Sequence, residues 1–134
     1  MNIDKKYYQE INENLTNTIQ DTNISAPNKK VGKVRDAYFL NDKVVMISTD
    51  RQSAFDRVLA AIPYKGAVLN SVSAWWFKKT EHLFPNHLIS TPDPNVSIVE
   101  KCTVFPVEFV VRGYITGTTD TSLRTVYNLS LIHI

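Results

Sequence analysis

Charged side chains beside glycines give residues 104–118, VFPVEFVVRGYITGT, the composition of a binding site. The middle of the segment is apolar and β-branched, which is typical of a strand. Arg112 follows directly, and Gly113 and Gly117 allow the backbone to turn or to lie close to a ligand. A charge at a strand end beside backbone N–H groups can bind an anion. The alternative is a core strand that leaves through a glycine turn, with Glu108 and Arg112 solvated.

A second candidate, GKVRD at residues 32–36, combines a glycine with two cations. As part of one strand, it places Lys33 and Arg35 on the same face, because successive side chains alternate. Gly32 lets a phosphate approach the backbone, and a compact ammonium with a planar guanidinium suits a triphosphate. The spacing is not that of a complete Walker motif. A solvated strand face with a bulge glycine is the alternative interpretation.

The third candidate, TDRQSAFD at residues 49–56, is rich in directional hydrogen-bonding groups. It is predicted to be a loop that suits a polar, partly anionic metabolite, with Phe55 anchored in the core. The alternative is that Asp50 and Ser53 cap a helical turn or stabilise an Asx-turn.

The first half of the chain supplies a helix and a hairpin to position these groups. Apolar residues that recur every four positions predict a docking helix over residues 3–19: Ile3, Tyr7, Ile11, Leu15 and Ile19. Residues 21–30 form a surface connection. Residues 31–40 and 43–48 are predicted strands, and Asn41 and Asp42 form the tight turn of their hairpin.

The second half begins with a short strand at residues 57–63 and its turn. From residue 67 a broad apolar stripe predicts the main core helix: Val68, Leu69, Val72, Trp75, Trp76 and Leu83. We interpret the two tryptophans as packing residues and His82 and His87 as surface residues. A stiff turn at residues 91–95, a strand at 97–103 and a helix over 118–128 complete the prediction.

The composition excludes several classes of protein. With 134 residues, 43% of them hydrophobic, the chain can bury the core of one domain. The net charge of +2 is too balanced to predict binding to nucleic acid or to a membrane. A nucleic-acid-binding β-domain is a further alternative that rests only on the basic residues of segment 29–57 and on the aromatics. A single cysteine, Cys102, excludes an internal disulfide and fits a reducing, cytoplasmic compartment.

Four motifs, in this order, resemble the phosphoribosylaminoimidazole-succinocarboxamide synthase (SAICAR synthetase) family. They are GKVRD at 32–36, TDRQSAFD at 49–56, IPYKG at 62–66 and FPVEFVVRGYITG at 105–117, and the resemblance covers roughly residues 30–128. It implies an α+β fold, with a mostly antiparallel sheet and flanking helices. Its ATP-covering hairpin would resemble the small lobe of kinase-like and ATP-grasp proteins.

The resemblance implies a ligase of purine biosynthesis that uses ATP and Mg²⁺. Its small-molecule substrates are carboxyaminoimidazole ribonucleotide and L-aspartate, which it joins through an acyl phosphate. Carried over to this chain, the family's ATP-binding residues are Gly32, Lys33, Val34, Arg35, Lys101, Val104 and Glu108. The substrate-binding residues are Ser53, Asp56, Arg112, Gly117 and Thr118. Thr118 stands where the family usually has serine. No metal-ligating or catalytic residue is assigned.

The resemblance also predicts the domain organisation. Residues 1–26 would form the N-terminal helix and linker, residues 27–117 the nucleotide- and substrate-binding lobe, and residues 118–134 the truncated start of a second lobe. The family's later Asp-x-Lys-x-Glu-Phe-Gly type motif is missing, and residues 129–134 are atypical. We therefore expect an N-terminal portion with little or no ligase activity alone. A noncatalytic nucleotide-binding module is the alternative.

Overall fold

Antiparallel strands and α-helices make up the regular structure of the fold. The structure, a computed structural model, describes residues 5–54 and 57–131. Its helices and strands, in chain order, are α1 (Lys5–Glu13), β1 (Lys29–Val31), β2 (Arg35–Phe39), β3 (Lys43–Ser48), β4 (Arg51–Ala54), β5 (Arg57–Ala61), α2 (Lys65–Thr80), β6 (Leu88–Asp93), β7 (Val96–Glu100) and α3 (Leu123–Leu131).

The main sheet has five strands in the order β1-β2-β3-β7-β6, and β4 pairs with β5 in a separate hairpin. Every pairing between the described strands is antiparallel, which confirms the predicted fold class. The buried hydrophobic residues come from the central strands of this sheet. Val44 and Val99 pair directly on one face, whereas Tyr38 and Ile47 lie on the other.

Helix α2 packs on the sheet through polar and small residues. Asn70 Nδ2 donates to the Pro94 carbonyl at 3.0 Å, and Ser97 Oγ donates to Asn70 Oδ1 at 2.7 Å. The stripe predicted to make α2 the main core helix is instead about half exposed: Val68, Leu69, Val72, Trp75 and Trp76. That prediction is wrong because the side of the helix that meets the sheet is the one with Gly66 and Asn70. Leu83 lies beyond the end of α2 and is exposed.

The strand predicted over residues 31–40 is two strands, β1 and β2, joined by a tight turn. Gly32 N donates to the Arg35 carbonyl at 2.7 Å, and a Cβ at Gly32 would meet that same oxygen at 2.7 Å. Glycine permits this approach, and the chain reverses. The predicted common strand face for Lys33 and Arg35 is therefore wrong, since Lys33 lies in the turn and Arg35 begins β2. The next hairpin, around Asn41 and Asp42, is confirmed.

Two predicted loops contain strands. Residues 51–54 pair with β5, so the middle of the predicted loop 49–56 is strand β4. Residues 91–93 belong to β6, and only the following residues turn. Pro92 is tolerated there because β6 is an edge strand of the sheet.

The N-terminal helix is shorter than its apolar pattern predicted. Helix α1 ends at Glu13, and Asn14 then donates from its side chain to the Glu10 carbonyl at 2.9 Å. Leu15 and Ile19 follow the helix, so the pattern extends beyond the helical segment. Ile3 lies outside the described residues.

The chain divides into two compact units, Met1–Cys102 and Thr103–Ile134. The predicted boundaries after residues 26 and 117 stay predictions. In the second unit, residues 103–122 contain no helix or strand. The strand predicted there is wrong, because no described strand pairs with it, and Val111 is 96% exposed. Helix α3 begins at Leu123, after Ser122, whose Oγ accepts from Thr125 N at 3.3 Å. Among the described residues, no helix is both long and apolar enough to cross a membrane.

Candidate functional site

The turn between β1 and β2, residues 32–34 (the hairpin turn), has all of its carbonyl oxygens bound from one side. Arg51 donates from Nη2 to the Gly32 carbonyl at 3.0 Å and from Nε to the Lys33 carbonyl at 3.2 Å. Thr49 donates to the Val34 carbonyl twice, from its backbone N at 3.0 Å and from Oγ1 at 2.9 Å. Both donors are buried, so the turn rests on the interior of the first unit.

This arrangement also decides where the amide groups of the turn point. The peptide bonds of the described residues are all trans, and a trans peptide directs its C=O and N–H to opposite sides. The N–H groups of Lys33, Val34 and Arg35 therefore point away from Arg51 and Thr49. Successive N–H groups in a turn form a concave surface that attracts anions. The side chain of Lys33 is exposed and adds positive charge to this turn. Arg35 is also exposed, but it begins β2 and lines a small cavity with Asn70 and Phe77 of α2.

Asp36 holds Arg51 in place. Its carboxylate is fully buried and accepts from Arg51 Nη2 at 2.7 Å and from Thr22 Oγ1 at 2.6 Å, with Lys29 Nζ at 3.2 Å. Burial alone would raise the pKa of Asp36, but the hydrogen bonds from Arg51, Thr22 and Lys29 outweigh it and hold that pKa below its usual range. The carboxylate is therefore ionised at neutral pH and neutralises the buried guanidinium.

The connection that precedes β1 covers this ion pair. Lys29 Nζ pairs with Asp21 at 2.8 Å and also donates to the Thr22 carbonyl. The hydrogen bond to Asp21, with help from Asp36, raises the pKa of Lys29 above its ordinary value. Arg51 Nη1 donates to the Gln20 carbonyl at 2.7 Å. The predicted surface connection is thus bound to the same cluster as the hairpin turn.

Asp50, next to Arg51, binds the backbone of two further segments. Its Oδ1 accepts from Gly66 N in the first turn of α2, and its Oδ2 accepts from Ile19 N, both at 2.8 Å. Asp50 is buried and thus has the capping role that was the alternative interpretation of the 49–56 motif. Ser53 lies half-buried in β4, opposite Val58. Asp56 and Phe55 lie outside the described residues.

Lys101 lies at the other end of the sheet from the hairpin turn. Its backbone N donates to the Asp42 carbonyl at 3.0 Å, and it lines an open cavity of about 420 Å³. The other lining residues are Pro27, Asn28, Phe39, Leu40 and Asn41. Since β2 rises about 3.3 Å per residue, Arg35 and Phe39 are about 13 Å apart. A larger cavity of about 590 Å³, between α2 and β6, contains none of the predicted site residues.

The remaining predicted site residues belong to the second unit. Gly117 has φ +118°, which favours glycine, and a Cβ added there would lie 3.7 Å from Arg112 Cζ. The structure therefore brings Arg112 and Gly117 together. Thr118, Val104 and Glu108 are exposed, and Val104 is 85% exposed. No cluster of three metal-ligating side chains occurs among the residues that the structure describes.

Comparison with known proteins decides the family. The sequence matches the family profile described as SAICAR synthetase over residues 28–131, which include the hairpin turn, Arg51, Lys101 and Gly117. The chain belongs to the SAICAR synthetase family.

Relatives within the SAICAR synthetase family are similar in sequence and in structure. The phosphoribosylaminoimidazole-succinocarboxamide synthase of Legionella pneumophila (strain Lens) is 61% identical over 109 residues, covering 81% of this chain and 35% of that protein. The chloroplastic enzyme of Arabidopsis thaliana is 58% identical over 123 residues, which are 88% of this chain and 30% of that protein. The chain thus spans about a third of the length of these curated relatives.

Two solved structures show the same fold. The SAICAR synthase of Saccharomyces cerevisiae complexed with SAICAR matches 74% of this chain and 42% of that chain, at 31% identity and a TM-score of 0.67. A SAICAR synthetase (Type-2) in complex with ADP matches 59% of this chain and 35% of that chain, at 30% identity and a TM-score of 0.54.

Sequence reasoning about this SAICAR synthetase family member missed the support of the hairpin turn. Arg51 and Thr49 were interpreted as parts of one motif and Asp36 as part of another, yet the three residues form one cluster around the hairpin turn. The hairpin register contained the necessary signal. Arg35 pairs with Ser48, so the residues that follow Ser48 come close to the residues that precede Arg35.

Proposed function

We propose that this chain forms the nucleotide-binding part of an ATP-dependent ligase of purine biosynthesis. A carboxylate oxygen of carboxyaminoimidazole ribonucleotide attacks the γ-phosphorus of ATP, and the bond to the ADP oxygen breaks. The amine nitrogen of L-aspartate then attacks the acyl carbon of the acyl phosphate. Inorganic phosphate leaves, the nitrogen loses a proton, and the amide product is SAICAR.

The observation that carries this proposal is the geometry of the hairpin turn. Phosphoryl transfer requires that the negative charge of the phosphates be held and oriented. In the hairpin turn, Arg51 and Thr49 bind the carbonyl oxygens from the inside, so the N–H groups face the opposite side. Lys33 brings an exposed cation to this turn. A polyphosphate thus meets N–H donors and positive charge with no carbonyl oxygen turned toward it.

The position of Lys101 supports an extended nucleotide. The cavity at Lys101 and the hairpin turn lie at opposite ends of β2, whose end residues, Arg35 and Phe39, are about 13 Å apart by strand rise. We propose that the adenosine lies toward Lys101. The phosphates would then lie at the hairpin turn. Val104 and Glu108, in the second unit, are assigned to the nucleotide through their motif alone.

The substrate side of the site follows the family motifs. We assign Arg112, with its positive charge, and Gly117, with its backbone N–H, to the phosphate of the ribonucleotide, and these two residues are close in the second unit. Thr118 would add a hydroxyl donor next to Gly117. Ser53 and Asp56 are assigned to the substrate side through their motif alone.

We propose that Mg²⁺ binds together with the ATP phosphates. The described residues contain no group of three His, Cys, Asp or Glu side chains that could bind it.

Calorimetric titration of the 134-residue chain with ADP, in buffer with Mg²⁺, tests the proposal directly. We expect saturable binding that Lys33→Ala weakens about tenfold, because it removes one charge contact to the phosphates. The matched control is Lys78→Ala, which removes an exposed lysine in the last turn of α2 and should leave the affinity unchanged. An ADP affinity that is equal in the two variants contradicts the assignment of Lys33.

A further inference from the structure

We propose that Arg51, together with Thr49, positions the phosphate-binding turn by fixing the peptide orientation of residues 32–34. Arg51 holds the carbonyls of Gly32 and Lys33, and Thr49 holds that of Val34. The inference rests on the proposed function, since it assumes that the turn binds phosphates. Arg51 itself is buried and donates to the carbonyl side of the turn, opposite the N–H groups proposed to bind the phosphates. Its effect on a ligand passes through the peptide groups that it holds.

The guanidinium group makes four hydrogen bonds in this arrangement. Nε donates to the Lys33 carbonyl, Nη1 to the Gln20 carbonyl, and Nη2 to both the Gly32 carbonyl and Asp36. These partners come from the hairpin turn, from the connection before β1 and from β2. The planar guanidinium group, with its fixed donor directions, can donate to all of these acceptors together, and a single ammonium group cannot.

Asp36 orients the guanidinium group of Arg51. Its carboxylate is fully buried and pairs with Nη2 of Arg51 at 2.7 Å, while Thr22 and Lys29 bind the same carboxylate. The ion pair compensates the guanidinium charge, which would otherwise be costly to bury. Because this pair is rigidly held, the positions of the two hairpin-turn carbonyl oxygens bound by Arg51 are fixed as well.

The orientation of these peptides has a direct consequence for an anion. A peptide that rotates by half a turn exchanges the positions of its N–H and its carbonyl oxygen. Without Arg51, the peptides that follow Gly32 and Lys33 can turn an oxygen toward the phosphates, which repels them. Arg51 therefore favours the anion-binding arrangement over the alternatives before the ligand arrives, and this lowers the cost of binding.

We expect substitution of Arg51 to weaken the binding of the phosphates and not that of the adenosine. In Arg51→Lys the charge beside Asp36 is retained, but the carbonyl contacts cannot all be made. We expect the ADP affinity of the full chain to fall about tenfold, the equivalent of about 1.4 kcal/mol. The affinity for adenosine, which lacks the phosphates, should change less than about twofold. The matched control is Arg57→Lys, the same change at an exposed position of β5, and it should change neither affinity.

A merely structural role would give a different result. Loss of fold weakens ADP and adenosine together, whereas a positioning role changes their ratio. Thermal unfolding shows whether Arg51→Lys is folded at the temperature of titration. If it is not, Thr49→Val decides the question. It removes one hydrogen bond to the Val34 carbonyl, whereas the backbone N of Thr49 still donates to that oxygen. We expect it to weaken ADP about threefold without affecting adenosine.

The outcomes separate this inference from the proposed function. If the unchanged chain binds neither ADP nor inorganic triphosphate, the proposed function fails and the positioning role fails with it. If the unchanged chain binds ADP and Lys33→Ala weakens that binding, the proposed function stands. An unchanged ratio of ADP to adenosine affinity in the folded Arg51 or Thr49 variant then overturns the positioning role alone.

Discussion

We expect Asp36→Asn to lower the free energy of unfolding of the first unit more than the same change at an exposed aspartate. The substitution keeps the shape of the side chain and removes its negative charge. Arg51, whose side chain is 9% exposed, then remains as a buried cation without its carboxylate. The new amide nitrogen would also face Lys29, which can only donate.

The size of the effect follows from this burial. Removing one partner of a buried ion pair costs about 3–5 kcal/mol. The lower value applies here, because the asparagine oxygen still accepts one hydrogen bond from Arg51 and because the Lys29 side chain is 26% exposed and can reach water. For a domain near 100 residues, a loss of about 3 kcal/mol lowers Tm by about 12 °C or more.

Urea unfolding followed by tryptophan fluorescence measures this loss. Both tryptophans, Trp75 and Trp76, lie on α2, which packs on the sheet that contains Asp36. The matched control is Asp42→Asn, the same change at an exposed residue of the next turn, which should cost less than about 0.5 kcal/mol. A free energy of unfolding for Asp36→Asn within about 1 kcal/mol of the unchanged chain would refute the reasoning.

The pH dependence of the same variant has a definite sign. The pKa of Asp36 is lower in the folded chain than in the unfolded chain, so its ionised form stabilises the fold above the unfolded pKa, about 3.9. This stabilisation is lost as the pH falls from about 3.9 through the folded pKa. Asp36→Asn should therefore flatten the acid limb of a plot of stability against pH, and an acid limb with the same slope in both proteins would contradict the assignment.

Two further predictions concern other parts of the chain. Gly66→Ala should cost about 2 kcal/mol in urea unfolding, because the new Cβ would lie 2.3 Å from the Ser48 carbonyl oxygen. Its control, Gly113→Ala, has no atom within 4 Å of the new Cβ and should be nearly neutral, so equal losses would contradict the crowding argument. Cys102 is exposed and should react with a thiol reagent as fast in the native chain as in urea, and a slow native reaction would count against this exposure.

Local sequence patterns predicted the regular parts of the first unit. The apolar runs around Asn41 and Asp42 specified a hairpin, because alternation and turn residues act over a few neighbouring positions. The family motifs identified the hairpin turn, and the structure confirms that its residues lie together. A strand was wrongly predicted at residues 107–111. The β-branched residues there have a high strand propensity, but none of the described strands pairs with this segment.

The sequence by itself determined the antiparallel sheet and the family, since both depend on residue types in order along the chain. Only the tertiary structure decided which groups support the hairpin turn. Arg51 and Asp36 are 15 residues apart, and their ion pair exists because the β2–β3 register brings the segments together. It also decided that α2 packs on the sheet through Asn70 and exposes its tryptophans. A helical period shows which residues share a face, but the available partner surface decides which face is buried.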